Sequence, residues 1–225
     1  MSEAPLCRNF NCNNTAHLRE YGEDGVAIYE TLCTPCMVHW NKMVLSHGMP
    51  KKPKPETPMP ELFEDTQPDR LGELWHTAVH WNPQGKGLLI HGSTRRGKTR
   101  TAWFIAKRLW DENPYKNKYL FLTMFELEAR IAASWGNSTW DKTMLHMTNV
   151  PLLFLDDMGK EKMTDRMASC LFALVDQRTM HKRSTIITTN LTGETLLERF
   201  HDKETGAAFV ARLKDSDLFE RVAAK

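Results

Sequence analysis

The stretch GSTRRGKT, Gly92 to Thr99, restricts the possible folds of this chain more than any other. Two glycines bracket a short polar loop, and Lys98 and Thr99 follow at once. Before the loop, the apolar run GLLIHG (87–92) reads as a buried strand. After it comes TRTAWFIAKRLWDE (99–112), in which Ala102, Ile105, Ala106 and Leu109 recur at helical spacing. Strand, glycine-bounded loop and helix in that order form the setting in which such a loop cradles phosphate. Loop amides converge on the anion, and the helix start adds favourable potential. On this reading Gly92, Ser93, Thr94, Arg95, Arg96 and Gly97 line the cradle, Lys98 reaches the outer phosphates of ATP, and the Thr99 hydroxyl takes Mg²⁺. Arg95 and Arg96 leave two readings open: one guanidinium adds charge beside the phosphates, or both point to solvent.

Two later segments extend the site. PLLFLDDMG (151–159) is an apolar strand ending in paired carboxylates. Asp156 is expected to hold Mg²⁺ with Thr99, directly or through water, and Asp157 to face the attacking water. STIITTN (184–190) is a second buried strand, and Asn190 at its end is expected to orient water near the terminal phosphate. KYLFLT (118–123) is a further strand, followed by the helical MFELEARIAASW. His76 and His80 share a helix face and, lacking a third ligand, are expected to be packing residues.

MPKKPKPETPMP (49–60) contains five prolines and three lysines. Proline removes backbone donors and fixes φ, so this stretch is expected to be a semi-extended spacer. It divides the chain into residues 1–48, 49–60 and 61–225. Four of the five cysteines precede it: Cys7 and Cys12 as C-x4-C, Cys33 and Cys36 as C-x2-C. Between the pairs, HLREY and VAIYETL flank GEDG and suggest a hairpin, and MVHWNKMVLSH after Cys36 suggests a helix. So small a module has little core of its own, and tetrahedral Zn²⁺ on the four thiolates would staple it. His17 or His39 is an alternative ligand to one of the cysteines. Cys170, within MASCLFALV, is expected to be a buried small residue.

The net charge of +2 carries no global nucleic-acid signature, so any DNA contact must be local. No apolar run approaches the ~18 residues of a membrane span. MSEAPLCRNF at the N-terminus lacks the apolar centre of a signal peptide. The expected location is the cytoplasm, where thiols stay reduced.

The order GSTRRGKT, LLFLDDMG, STIITTNL resembles the AAA+ ATPases of the DnaC/DnaI/IstB group, over roughly residues 62–213. That resemblance implies an α/β fold, a P-loop AAA+ parallel sheet between helices, here preceded by a small zinc-bound module. It also implies a nucleotide-dependent homo-oligomer, a ring or spiral with ATP at subunit interfaces. FVARLKD (209–215) is similar to the element that carries an arginine toward the neighbouring subunit's terminal phosphate, which makes Arg212 the candidate. Three features depart from the group. Asp157 stands where Glu is frequent, Arg95 and Arg96 replace small residues, and with twelve residues after Leu213 a helical lid is not expected.

The zinc module makes the chain most similar to the DnaI-type members. The implied function is an ATP-dependent loader of a replicative DNA helicase. The zinc module would dock the helicase, and the AAA+ domain would bind ATP and single-stranded DNA. The segment Met124 to Trp140 lies where such ATPases place a DNA-contacting insertion. Arg130, Trp135 and Lys142 are candidate contacts, with core packing and a solvated face as the equal alternative. Two other functions remain open. One is a transposition helper of the IstB kind. The other is a zinc-finger DNA-binding regulator with an ATP switch, disfavoured because residues 1–48 hold three Lys/Arg against five Asp/Glu.

Overall fold

The computed structural model describes residues 18–21, 27–29, 54–64, 66, 71–114, 116–160 and 163–224. The chain forms two compact units, Met1–Pro53 and Lys54–Lys225. In the first, β1 (Leu18–Tyr21) and β2 (Ala27–Tyr29) pair antiparallel, with Leu18 opposite Tyr29 and Tyr21 opposite Ala27. This is the hairpin expected around GEDG. Cys7, Cys12, Cys33, Cys36, His17, His39 and the helix expected after Cys36 lie outside the described residues.

The second unit is a parallel sheet between helices. Its strands are β3 (Gly87–Gly92), β4 (Tyr119–Thr123), β5 (Leu152–Met158), β6 (Ser184–Thr189) and β7 (Phe219–Ala224), in the order β4-β5-β6-β3-β7. The described helices are α1 (Glu61–Glu64), α2 (Trp75–His80), α3 (Lys98–Glu112), α4 (Met124–Gly136), α5 (Trp140–Asn149), α6 (Asp165–Met180), α7 (Gly193–Leu197) and α8 (Lys203–Lys214). A parallel sheet is covered on both faces, so its strands read as continuous apolar runs. Alternate residues then serve two cores. Leu88, Ile90, Phe121, Phe154 and Ile186 pack with Trp103, Ile105 and Leu109 of α3. Leu89, Leu122, Leu153, Leu155 and Ile187 pack with Leu127 and Ile131 of α4, Leu171 and Leu174 of α6, and Phe209 of α8. Stacked rings stiffen the first core: Trp103 lies on Phe121 at 3.7 Å, and Phe121 on Phe154 at 5.1 Å.

Strand β7 has no counterpart in the sequence reading. It pairs in parallel along β3, so the strand that feeds the phosphate loop is internal. The pairing explains Gly92, whose φ is +142° and whose added Cβ would meet the Ala224 carbonyl oxygen at 2.2 Å. Only glycine fits so close a backbone approach.

The spacer expected over 49–60 differs in its second half, which belongs to the Lys54–Lys225 unit. The Thr57 hydroxyl donates to the Phe121 carbonyl and accepts from the Phe121 N–H, both at 3.2 Å. One side chain thus satisfies the backbone N–H and carbonyl of Phe121 on edge strand β4, a donor role the flanking prolines cannot fill. Glu56 pairs with Arg130 at 3.2 Å and with His146 at 2.8 Å.

Arg178 of α6 is fully buried. Its guanidinium donates to the carbonyls of Met147, Thr148, Val150, Pro151 and Ser184 and to the Thr185 hydroxyl. It ties the end of α5 to the starts of β5 and β6. Burial, with a smaller push from nearby Arg183, lowers its pKa to about 9, so it stays charged at neutral pH.

Candidate nucleotide-binding site

The site forms where β3, β5 and β6 end on one edge of the sheet, the edge at which open α/β sheets bind ligands. Gly97 ends the loop with φ +80° and caps α3 without a side-chain hydrogen bond, leaving the first amides of that helix facing the loop. Arg95 also takes a left-handed conformation, φ +62°. An open cleft of about 450 Å³ runs over the loop, bordered by residues 94–100, Phe63, Asp157, Lys160 and Asn190.

Lys98 is buried, and its ammonium donates to the carbonyls of Gly92 at 2.9 Å and Ser93 at 2.7 Å. Burial lowers its pKa, while the charges of Asp157 and Asp156 pull it back up. The cation is therefore seated inside the loop. The Thr99 hydroxyl donates to the Asp156 carboxylate, at 2.9 Å to Oδ1 and 3.1 Å to Oδ2. Asp156 is only 6% exposed, and burial raises its pKa. Hydrogen bonds from Thr188 and Thr99 oppose that shift, and the charge of Asp157 adds to it. A buried carboxylate touching the hydroxyl that follows the loop lysine is a hard oxygen pair, the donor set that suits Mg²⁺.

Asp157 borders the cleft with φ +64°, and Lys160 donates to its Oδ2 at 2.5 Å. That hydrogen bond raises the pKa of Lys160. Thr188 donates to Asp156 Oδ1 at 2.5 Å and accepts from the Asp157 N–H at 3.0 Å.

Gly92, Ser93, Thr94, Arg95, Arg96, Gly97, Lys98, Thr99, Asp156, Asp157 and Asn190 therefore meet at one place. Both loop arginines border the cleft and are exposed, and Arg96 donates to the Ser93 hydroxyl at 3.2 Å. Arg212 is elsewhere, on the last turn of α8. It pairs with Asp176 at 2.5 Å and lies 5.3 Å over the Phe172 ring.

The segment Met124 to Trp140 is α4 with its following turn. Arg130 is held by Glu56. Trp135 stacks on Trp140 beneath Arg166, and Lys142 is exposed. The exposed His76 and His80 rings lie 4.5 Å apart. Among the described residues no group of three or more His, Cys, Asp and Glu is placed to hold a metal. Cys170 is buried, which raises its thiol pKa.

Sequence reasoning missed Lys160 and Thr188. Lys160 carried no signal, because its role depends on a turn that returns it to Asp157. Thr188 lay in the strand pattern of STIITT, where a threonine reads as a β-former.

A phosphate loop between a central parallel strand and its helix, and a buried carboxylate on the next strand but one, define a P-loop nucleotide-binding domain of the AAA+ class. The chain belongs to the family of IstB-like ATP binding proteins, which it matches over residues 66–218. It is 27% identical, over 167 residues, to the replicative helicase loader DnaI of Bacillus subtilis (strain 168). That match covers 70% of this chain and 51% of the relative, so the chain spans about half the length of the curated protein it matches. The crystal structure of the DnaC helicase loader superposes with a TM-score of 0.56 and 26% identity, over 67% of this chain and 85% of that one. That of DnaI gives 0.56 and 23%, over 67% and 80%, a likeness of fold.

Proposed function

We propose that this chain is an ATPase that loads a replicative DNA helicase. The observation that carries the proposal is the 27% identity to the DnaI loader over 167 residues, supported by Lys98 seated in the phosphate loop and Thr99 bonded to Asp156. Residues 1–48 form the helicase-docking module, with Cys7, Cys12, Cys33 and Cys36 on Zn²⁺. The joining segment, expected over 49–60, is confined to its first residues, and the AAA+ domain begins at Lys54. Single-stranded DNA binds the AAA+ domain, with Arg130, Trp135 and Lys142 as contacts. The chain works in the cytoplasm, and no described helix is long and apolar enough to cross a membrane.

The loop amides and Lys98 hold the phosphates of ATP, and Thr99 and Asp156 hold Mg²⁺. When bound, Mg²⁺ neutralises charge on the phosphate oxygens. The remaining steps belong to side chains. Lys98 exchanges the Gly92 and Ser93 carbonyls for phosphate. Asp157 gives up Lys160 and, with Asn190, orients water at its carboxylate. Arg212 leaves Asp176 to reach the site of a neighbouring copy in a homo-oligomer, where an arginine supplied in trans stabilises developing charge.

The test mixes the full chain with a bacterial replicative helicase and circular single-stranded DNA. Co-elution with the helicase, and ATP-dependent transfer of helicase to the DNA, are expected. Elemental analysis should give one Zn²⁺ per chain. No association with the helicase, combined with ATP-dependent binding to duplex DNA, would refute the loader reading. The IstB-like family match would then favour a transposition helper.

A further inference from the structure

We infer that Thr188 is a positioning residue of the ATPase site: its hydroxyl holds together the carboxylate that receives Mg²⁺ and the backbone of the residue that faces water. The inference rests on the ATPase reading above.

It starts from the pairing of β5 with β6. Leu155 lies opposite Ile187, and Met158 lies opposite Thr189. Asp156 and Asp157 therefore share the single residue Thr188 as partner, which is a β-bulge. Without it, consecutive residues of a strand would face opposite sides of the sheet. The bulge breaks that alternation. Asp156 turns toward Thr99, and Asp157 still borders the nucleotide cleft. Asp157 adopts φ +64° to do so, a conformation rare for a residue with a side chain.

A bulge also takes a residue out of the ladder, leaving backbone groups that need another partner. Thr188 supplies one from its side chain. A hydroxyl has one proton and two lone pairs. The proton goes to Asp156 Oδ1 at 2.5 Å, and a lone pair takes the Asp157 N–H at 3.0 Å. Thr188 is 1% exposed, so its hydroxyl is shielded from bulk solvent. A β-branched side chain in a buried strand is stiff about χ1, so the two bonds set each other's geometry. If the hydroxyl is lost, Asp156 keeps its bond from Thr99 and the Asp157 amide loses the hydroxyl it donates to. The nucleotide loop itself is untouched, because Thr188 makes no bond to residues 92–98.

The experiment compares full-length Thr188→Val, Thr188→Ala and Thr188→Ser with the natural chain. The first readout is hydrogen exchange of the Asp157 amide without nucleotide. It should speed up roughly tenfold or more in the Val and Ala variants, the scale of a lost buried hydrogen bond, and stay near the natural rate in Ser. The second is turnover of Mg-ATP. Here kcat should fall roughly tenfold or more in Val and Ala, with KM for ATP little changed and more Mg²⁺ needed for half-maximal rate. The Ser variant should recover most of both. Natural exchange and turnover in Thr188→Val and Thr188→Ala would overturn the inference and leave the ATPase reading intact. Equal damage in Thr188→Ser would also overturn it, by assigning the effect to the lost methyl. A natural chain that does not turn over Mg-ATP would overturn the ATPase reading and this inference together.

Discussion

Replacing Arg178 by methionine tests how the far end of the sheet supports the site. Methionine fills much of the same volume and makes none of the hydrogen bonds. Six acceptors lose a bond to Arg178, three of them within 2.8 Å: the carbonyls of Met147, Val150 and Ser184. Of the six, the Thr148 carbonyl keeps a bond from Arg183. Each hydrogen bond to a charged donor is worth about 1.5–3 kcal/mol. The sum cannot be realised, since holding a guanidinium out of water already costs several kcal/mol, and methionine removes that cost. What remains is the penalty for neutral buried carbonyls left without partners, about 1–3 kcal/mol each, or about 3–5 kcal/mol in all once relaxation pairs some of them again. A domain of this size loses about 2–4 °C of Tm per kcal/mol. Thermal unfolding of the full chain, followed by circular dichroism at neutral pH, should therefore show the Lys54–Lys225 transition roughly 6–20 °C lower. Arg178→Lys, with one compact charge and fewer donors, should fall between. Nucleotide affinity of the folded fraction should be nearly unchanged, because Leu152–Ser184 pairing near Arg178 lies at the opposite strand ends from Asp156 and Asn190. A Tm within about 2 °C of the natural chain would refute the assignment of Arg178 as the clamp of β5 and β6.

Lys98→Ala should keep the fold and lose Mg-ATP binding by about a hundredfold in calorimetry, since it removes the cation seated among the loop carbonyls. Asp156→Asn should raise the Tm of the nucleotide-free chain at neutral pH and abolish Mg²⁺-dependent nucleotide binding. The sign follows from burial. A carboxyl whose folded pKa is raised stabilises the fold while protonated and loses that contribution as pH climbs from the ordinary carboxylate range through the folded value, so at neutral pH the ionised form is a burden. By the same linkage, Mg-ATP affinity should weaken as pH falls into that raised range. Mixing Arg212→Ala with Lys98→Ala chains should restore part of the ATPase rate when mixed oligomers form, and no recovery in proven mixed oligomers would contradict an arginine acting in trans. Thr101→Val should raise stability by about 1 kcal/mol in denaturant unfolding, because the Thr101 hydroxyl is buried on α3 with no hydrogen-bond partner among the described residues.

The parts of this protein legible in its sequence are those built from neighbours along the chain. GLLIHG, the loop and α3 are contiguous, so hydrophobic period and glycine placement were enough to locate Lys98 and Thr99. The paired carboxylates after an apolar strand marked Asp156 and Asp157 for the same reason. Cys170 followed from its apolar setting, and the hairpin of the first unit from turn chemistry. Tertiary structure decided whatever required two distant segments to meet. Strand β7 carries exposed Glu220 and Arg221 in place of a continuous apolar run, so its place beside β3 had no local signature. Thr57 shows its role only against the edge of β4, Arg178 only among α5, β5 and β6, and Thr188 only across a bulge in another strand. A polar side chain buried far along the chain from its partners is identified by those partners, and sequence order does not say which they are.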